Sequence, residues 1–121
     1  MALLVINNMS EDLTQKKCVP CKGGVSPFTA DEIEEYMKQL KTPWEVVDDL
    51  KIQQKFSFKD FVEAMAFVNK VAELAEDEGH HPDIHVVGYN TVTIELNTHA
   101  IGGLSINDFI VARKIEVLNA S

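Results

Sequence analysis

Hydrophobic positions along the chain switch from a helical to a strand repeat, and then do so a second time. The first helix has a strong start signal, because Thr29 with Glu32 three positions later is a capping-box sequence. Phe28 and Ile33 also have the spacing of a hydrophobic staple, and Pro43 is expected to end the helix. The predicted apolar stripe of this helix contains Ile33, Tyr36 or Met37, and Leu40.

Two pairs of segments alternate between apolar and polar residues, as β-strands do. Residues 44–48 and 52–58 form the first pair, and residues 84–87 and 91–96 form the second. Only a short turn-like stretch separates the members of each pair, so each pair predicts a hairpin. In the last strand, three apolar residues are expected on one side: Val92, Ile94 and Leu96.

Two further helices are predicted, one between the hairpins and one after them. The first runs from about residue 59 to residue 78, where Gly79 is suited to the C-cap. The second starts at Ser105 as N-cap with Asp108 at its third position. The expected apolar stripe of the longer helix is Phe61, Met65, Val68, Ala72 and Ala75, and that of the last helix is Ile106, Phe109, Ile110, Val117 and Leu118.

The predicted order of elements is α-β-β-α-β-β-α, which indicates an α+β fold. Hairpins favour an antiparallel sheet of four strands, and three helices can cover one face of it. The other face is left to water or to another subunit, and Val46 or Val47 with Val86 or Val87 would place apolar residues there. Residues 1–26 are interpreted as an irregular N-terminal arm, and residues 27–121 as a single domain.

Composition narrows the classes of function. The formal net charge of −8 argues against binding to nucleic acid or to an anionic membrane. No apolar run approaches the roughly 20 residues that span a bilayer, and the start of the chain lacks the features of a signal peptide. We therefore expect a cytoplasmic protein.

Cys18 and Cys21 form a single Cys-x-x-Cys sequence. Two thiolates are half of a structural zinc site, and the flanking residues are typical of a loop rather than of a thioredoxin-like strand and helix. An ordinary loop is the preferred interpretation, with a metal or intermolecular contact, or redox chemistry, as alternatives.

All four histidines lie within a stretch of twenty residues, from His80 to His99. Imidazole exchanges protons near neutral pH, so this concentration suggests acid–base chemistry or metal binding. Glu76 lies four residues before His80 and could orient it at the end of the long helix. The second hairpin should return His99 to the vicinity of His81, so that three histidines converge.

His85 alternates with its apolar neighbours and is expected on the surface. The spacing of His81 and His85 would align two metal ligands only on a helix, which Pro82 disfavours. No metal site is therefore predicted.

Together these residues resemble the motif of the pterin-4a-carbinolamine dehydratase family. The matching positions, each at an interval that the motif allows, are Glu76, His80-His81-Pro82, Tyr89, His99 and Asp108. The similarity extends through residues 56–61, 97–99 and 103–105 and covers about residues 27–118, in a form closer to the plant and bacterial branch. At Gly79 animal members carry a side chain, so this position could contact a pterin only through its backbone.

The resemblance implies an enzyme without a cofactor, a 4a-hydroxytetrahydrobiopterin dehydratase (a hydro-lyase) that recycles tetrahydropterins as a homodimer or homotetramer. It implies that His80 and His99 are the acid/base groups and that His81 holds the substrate near its 4a oxygen. Glu76 and Asp108 would orient the histidines. The implied pterin-binding positions are Gly79, His80, His81, Asn97, Thr98, His99, Ala100 and Trp44.

Two alternatives use the same fold. One is a non-catalytic interaction protein of the coactivator type, a role that animal members of the family also have. The other is an accessory protein of pterin or molybdopterin metabolism. Turnover of a 4a-carbinolamine would separate the enzyme from the first alternative.

Overall fold

The computed structural model describes residues 12–20 and 25–120. The predicted order of helices and strands is confirmed. The helices are α1 (Ala30–Met37), α2 (Phe61–Glu78) and α3 (Ile106–Ala120), and the strands are β1 (Glu45–Val47), β2 (Lys51–Ser57), β3 (Asp83–Val87) and β4 (Thr91–Leu96). None of the helices in these ranges is long and apolar enough to cross a membrane.

The four strands form one antiparallel sheet in the order β1-β2-β4-β3. Its inner face is buried beneath the helices, because alternate residues of β2 and β4 face the same way and all of them except Gln54 are apolar. As predicted, Val92, Ile94 and Leu96 lie in the core. The outer face is mostly polar, and its ion pair between Lys51 and Glu95 (3.1 Å) joins the two central strands.

Valines lie on both faces of the sheet edges. The register pairs Val46 with buried Ile52, and Val86 with buried Val92, so these two valines belong to the inner face. Val47 and Val87 therefore lie on the outer face, where Val87 is 57% exposed. The apolar material expected on the outer face is limited to these two positions at opposite edges.

The ends of the helices follow the predicted capping chemistry. Thr29 and Glu32 form a complete capping box, since each side chain accepts a hydrogen bond from the other residue's backbone N–H. Gly79 ends α2 with φ of 67°, a left-handed conformation that glycine adopts without a Cβ clash. At α3, the hydroxyl of Ser105 accepts from the N–H of Asn107, and the carboxylate of Asp108 accepts from the N–H of Ser105.

The predicted apolar stripe of α2 was wrong in part. Phe61 is 52% exposed and Ala72 is also exposed, whereas Ala75 is buried as predicted. The buried face of the helix consists of Ala64, Phe67, Val71, Ala75 and Glu78. Two apolar stripes of helical spacing run side by side on this helix. Phe67 favours one of these stripes, because its ring contacts those of Phe56 in β2 and Phe58 just after it, with centroids 4.9 and 5.0 Å away.

The last helix also has a wider buried face than the sequence predicted. Phe109 and Ile110 are buried as expected, but Val117 is 44% exposed. Ala112 and Ile115 are fully buried although the predicted stripe omitted them. Because α3 lies against α1, α2 and the N-terminal arm, its contacts extend around more of its surface than one stripe.

The described part of the N-terminal arm packs against the domain. Leu13–Gln15 form a short 3-10 turn, which Asp12 caps by accepting from the N–H of Thr14. The side chain of Leu13 is 1% exposed and belongs to the hydrophobic core, with α3 as its neighbour. Residues 1–11 and 21–24 of the predicted irregular arm, including Cys21, lie outside the described residues.

Candidate active site

A cleft with a volume of about 350 Å³ opens where α2 ends and β4 ends. Three of the four histidines line it, as the sequence predicted from the geometry of the second hairpin. The residues that line the cleft are Val19, Pro20, Gly79, His80, His81, Asn97, Thr98, His99, Ala100 and Asn107. Every predicted pterin-binding position except Trp44 is therefore in this cleft.

Two tight backbone turns give the cleft its shape. At Gly79 the chain leaves α2, and the N–H of His80 still donates to the carbonyl of Ala75 (3.2 Å). After β4, a bridge between Thr98 and Gly103 closes a loop whose 3-10 turn is His99–Ile101. Each turn places a histidine within three residues of the end of a regular element, His80 after α2 and His99 after β4.

His80 is bound to a buried carboxylate. Its Nε2 lies 2.7 Å from Oδ1 of Asp108, and the two side chains are 12% and 0% exposed. Asp108 is itself fixed, because its second oxygen accepts from the Thr98 hydroxyl (2.8 Å) and from the N–H of Ser105 (3.0 Å). With Nε2 engaged by the carboxylate, Nδ1 is the ring nitrogen of His80 that remains for proton exchange with a ligand.

Glu76 is paired with His81, and the expected pairing of Glu76 with His80 was wrong. Nε2 of His81 lies 2.5 Å from Oε2 of Glu76, and both side chains are largely exposed. The reason is the end of α2, since the left-handed turn at Gly79 stops the helical repeat before His80. His80 is thereby turned inward to Asp108, while His81 lies beside the surface of the last helical turn.

The other two histidines differ in their surroundings. His99 is exposed and lies in the 3-10 turn that forms one wall of the cleft. His85 is on the outer face of the sheet, as predicted, with its side chain 52% exposed and 3.7 Å from Glu95. The histidine cluster in the sequence thus divides into three cleft residues and one surface residue.

Comparison with known proteins identifies the family of this fold and cleft. A family model for pterin 4 alpha carbinolamine dehydratase matches residues 26–118. The chain belongs to the pterin-4-alpha-carbinolamine dehydratase family. Candidate dehydratases of this name are similar to it in Nitrosomonas eutropha (50% identical, covering 88% of this chain and 93% of the relative) and Rubrobacter xylanophilus (48% identical, covering 91% and 100%).

Solved structures agree with the assignment to the dehydratase family. The crystal structure of a transcriptional coactivator/pterin dehydratase from Brucella melitensis superposes with a TM-score of 0.71 at 34% identity, covering 77% of this chain and 98% of that one. A pterin dehydratase-like protein identified as a RuBisCO assembly factor superposes with a TM-score of 0.53 at 22% identity, covering 65% and 89%. The second likeness shows the fold alone.

Trp44, which was predicted to lie near the pterin, does not line the cleft of this dehydratase-family chain. Its side chain lies in the core at 6% exposure, edge-on to Phe56 with 6.0 Å between the ring centroids. Its indole N–H donates to Glu116 (3.1 Å), a buried carboxylate of α3. Tyr89, the aromatic position of the family motif, is 62% exposed in the turn between β3 and β4.

Cys18 is a half-buried thiol beside the cleft. Burial, together with the negative charge of Glu78, raises its pKa to about 12. A thiol with so high a pKa is protonated at neutral pH, which disfavours the thiolate that redox chemistry requires. Within residues 12–20 and 25–120, no group of three or more His, Cys, Asp or Glu side chains is arranged to hold a metal ion.

The sequence analysis missed Val19, Pro20 and Asn107 as cleft residues. Val19 and Pro20 belong to the arm, whose loop-like sequence carries no periodic signal. Asn107 follows the N-cap of α3, where an asparagine is an ordinary residue. These contacts depend on how the arm packs against the domain, and local sequence patterns do not encode that packing.

Proposed function

We propose that this chain catalyses the dehydration of a 4a-hydroxytetrahydropterin to a quinonoid dihydropterin, as a step in tetrahydropterin recycling. The observation that carries the proposal is the placement of His80, His81 and His99 around one cleft, with His80 held by a buried carboxylate. Family membership names the class of substrate, and the cleft supplies the acid and base groups that this reaction needs.

The reaction requires one proton to be added and one to be removed. The lone pair on N5 forms the N5–C4a double bond as the C4a–O bond breaks. An acid protonates the departing hydroxyl to give water, and a base removes the proton from N5. The electrons balance within the pterin, so neither an oxidant nor a reductant takes part.

His80 and His99 are suited to these two proton transfers. Asp108 fixes the orientation of the His80 ring through Nε2, so that Nδ1 can accept or donate a proton. His99, on the neighbouring wall, supplies the second group. His81, supported by Glu76, would hold the substrate near its 4a oxygen.

The flat pterin ring would lie against the loop after β4. Asn97, Thr98 and Ala100 line the cleft there. The Thr98 side chain is bonded to Asp108 and Ser105, and its backbone N–H and carbonyl are bonded within the loop to Gly103 and Ile101. The backbone groups of Asn97 and Ala100 would therefore bond the polar edge of the pyrimidine ring.

The test is a stopped-flow assay with a chemically generated 4a-hydroxytetrahydropterin. We expect dehydration well above the spontaneous rate, and the same rate after dialysis against EDTA, because histidine acid–base catalysis needs no metal. Absence of acceleration would reject the enzymatic proposal and favour the interaction-protein alternative. Loss of activity in EDTA that zinc restores would instead revive a metal role for the histidines.

Replacement of His81 by alanine is expected to weaken substrate binding more than catalysis. Because His81 is exposed and is proposed to hold the substrate rather than to transfer a proton, KM should rise roughly 5- to 10-fold while kcat changes less. Steady-state kinetics measure both constants. The matched control is His85→Ala, which removes an exposed histidine that also faces a carboxylate but lies outside the cleft. Equal effects of the two substitutions would contradict the role of His81.

Pairing of exposed sheet edges is expected to produce a homodimer or homotetramer. β3 is an edge strand without proline, and unpaired backbone groups at such an edge can bond a second copy of the chain. Sedimentation at micromolar concentration should therefore show an oligomer, and Val87→Lys on β3 should weaken it. The control Thr93→Lys adds the same charge to central strand β4. A fully active wild-type monomer would contradict this prediction.

A further inference from the structure

Residues 18–20 of the N-terminal arm, called here the arm segment, are clamped by two buried polar side chains from different helices. Glu78 at the end of α2 accepts a hydrogen bond from the N–H of Cys18 (2.9 Å). Asn107 in the first turn of α3 accepts from the N–H of Val19 (3.1 Å) and donates to its carbonyl (2.6 Å). Consecutive residues of the arm segment are thus held by specific side chains.

Burying the two polar side chains of this clamp costs desolvation free energy. The Glu78 side chain is 2% exposed and Asn107 is 3% exposed, so both depend on their hydrogen bonds to offset desolvation. Burial alone would raise the pKa of Glu78, but the ammonium of Lys114 at 2.6 Å and the N–H of Cys18 outweigh it and lower the pKa. The carboxylate therefore remains ionised and holds the arm segment at neutral pH.

The clamp ties the arm segment to the candidate acid–base pair. Glu78 lies two residues before His80, and Asn107 lies immediately before Asp108. The same helix ends therefore position both the imidazole with its carboxylate and the arm segment. Val19 and Pro20 then line the cleft alongside the histidines.

The arm segment presents an apolar surface to the cleft. Asn107 engages both the N–H and the carbonyl of Val19, and Pro20 has no N–H. On Val19 this leaves only the side chain, in a residue that is 60% exposed, and Pro20 adds its ring and one carbonyl. The remainder of the cleft carries histidines and the backbone of the loop after β4.

A tetrahydropterin has one edge that matches this apolar wall. Its pyrimidine ring carries amide and amine groups, and N5 with C4a is where protons move. Only C6 and C7 of the reduced ring, with the substituent on C6, form a carbon edge. A wall of methyl and methylene groups favours that edge, because burying polar groups there without partners is costly.

We propose that the arm segment receives the C6–C7 edge of the pterin, so that Val19 is a specificity-determining residue and Asn107 a positioning residue. This inference rests on the proposed pterin site and deepens it. The arm then selects among substrates by their C6 substituents, while the histidines act on the part that all pterins share.

The experiment compares chemically generated 4a-hydroxytetrahydropterins with and without a 6-methyl group. Val19→Ala should lower kcat/KM for the 6-methyl substrate relative to the unsubstituted one by roughly 3- to 10-fold, through KM, because part of a hydrophobic contact is lost. Val62→Ala is the matched control. It trims a 75% exposed valine near the start of α2, and Gly79 lies 17 residues further along the chain, roughly 25 Å at the helical rise.

Asn107→Ala tests the clamp itself. Like Val19→Ala, it should lower kcat/KM for the 6-methyl substrate relative to the unsubstituted one. The pH profile of kcat should stay unchanged, since the bond between His80 and Asp108 remains. A shifted pH profile with an unchanged ratio would show that Asn107 acts through Asp108, and would overturn its proposed role. If Asn107→Ala does not fold, the selectivity of Val19→Ala still tests the proposal, because Val19 is exposed.

Calorimetry with 7,8-dihydropterin and its 6-methyl derivative separates this inference from the proposed reaction. A selectivity change in binding without any turnover would support the arm segment and reject the dehydratase activity. Turnover with the same 6-methyl selectivity in wild type, Val19→Ala and Val62→Ala would overturn the arm proposal alone. Neither turnover nor binding of either pterin would overturn both.

Discussion

Replacement of His80 or His99 by alanine should lower the rate of dehydration by up to about 100-fold, and the double replacement should bring it close to the spontaneous rate. The single effects are limited because one remaining imidazole can still transfer a proton near neutral pH. The effects combine in the double variant because neither proton transfer then has a positioned group. Stopped-flow rates on the same 4a-hydroxytetrahydropterin measure all three variants.

His85→Ala is the control for the loss of an imidazole as such. It removes a histidine from the outer sheet face, where its side chain is half exposed, and should keep the wild-type rate. Asp108→Asn is informative beside His80→Ala, because the amide preserves the shape of the carboxylate but not its charge. Wild-type rates for His80→Ala, His99→Ala and the double variant would remove this cleft from consideration as the active site.

Replacement of Glu116 by alanine should cost about 3–5 kcal/mol of unfolding free energy, the scale for removing one partner of a buried ionic network. The Glu116 carboxylate is 2% exposed and accepts hydrogen bonds from five donors. Four of them belong to the loop after α1 and to Trp44, so its loss leaves the buried indole N–H and three partly buried donors without this partner. Thermal unfolding should shift downward by roughly 10–20 °C for a domain of this size.

Two further variants, measured by the same thermal unfolding, test whether Trp44 is a core residue bonded to Glu116. Glu116→Gln keeps an acceptor and should cost less than Glu116→Ala. Trp44→Phe keeps the ring in the core but loses the N–H donor, and it should lower stability without changing KM. A rise in KM for Trp44→Phe at a temperature where the variant is folded would return Trp44 to the substrate site.

The sequence predicted elements whose signals are local. Thr29 with Glu32, Gly79 at the end of α2, and Ser105 with Asp108 act within a few residues of themselves. The two hairpins were predictable for the same reason, since strand alternation and a short turn require no knowledge of the rest of the chain. Convergence of His80, His81 and His99 followed once the second hairpin was assigned.

The errors arose where distant groups compete for one side chain. Both His80 and His81 lie near Glu76 in sequence, but His80 is hydrogen-bonded to Asp108 of α3, and Glu76 is bonded to His81. Glu116 and the core aromatic residues likewise decide the position of Trp44. Neither competition is visible in the spacing of residues, because Asp108 lies 28 residues from His80 and Glu116 lies 72 residues from Trp44.

The three bonds of Asp108 couple parts of the protein that could otherwise fluctuate separately. They join the end of α2, the loop that carries His99, and the start of α3. A local opening that lifts the first turn of α3 should therefore release His80 and the His99 loop in a single event. Asn107 lies in that same turn, so the arm would be freed as well. The arrangement of the cleft is then a cooperative property of the folded domain, lost all at once rather than residue by residue as the structure loosens.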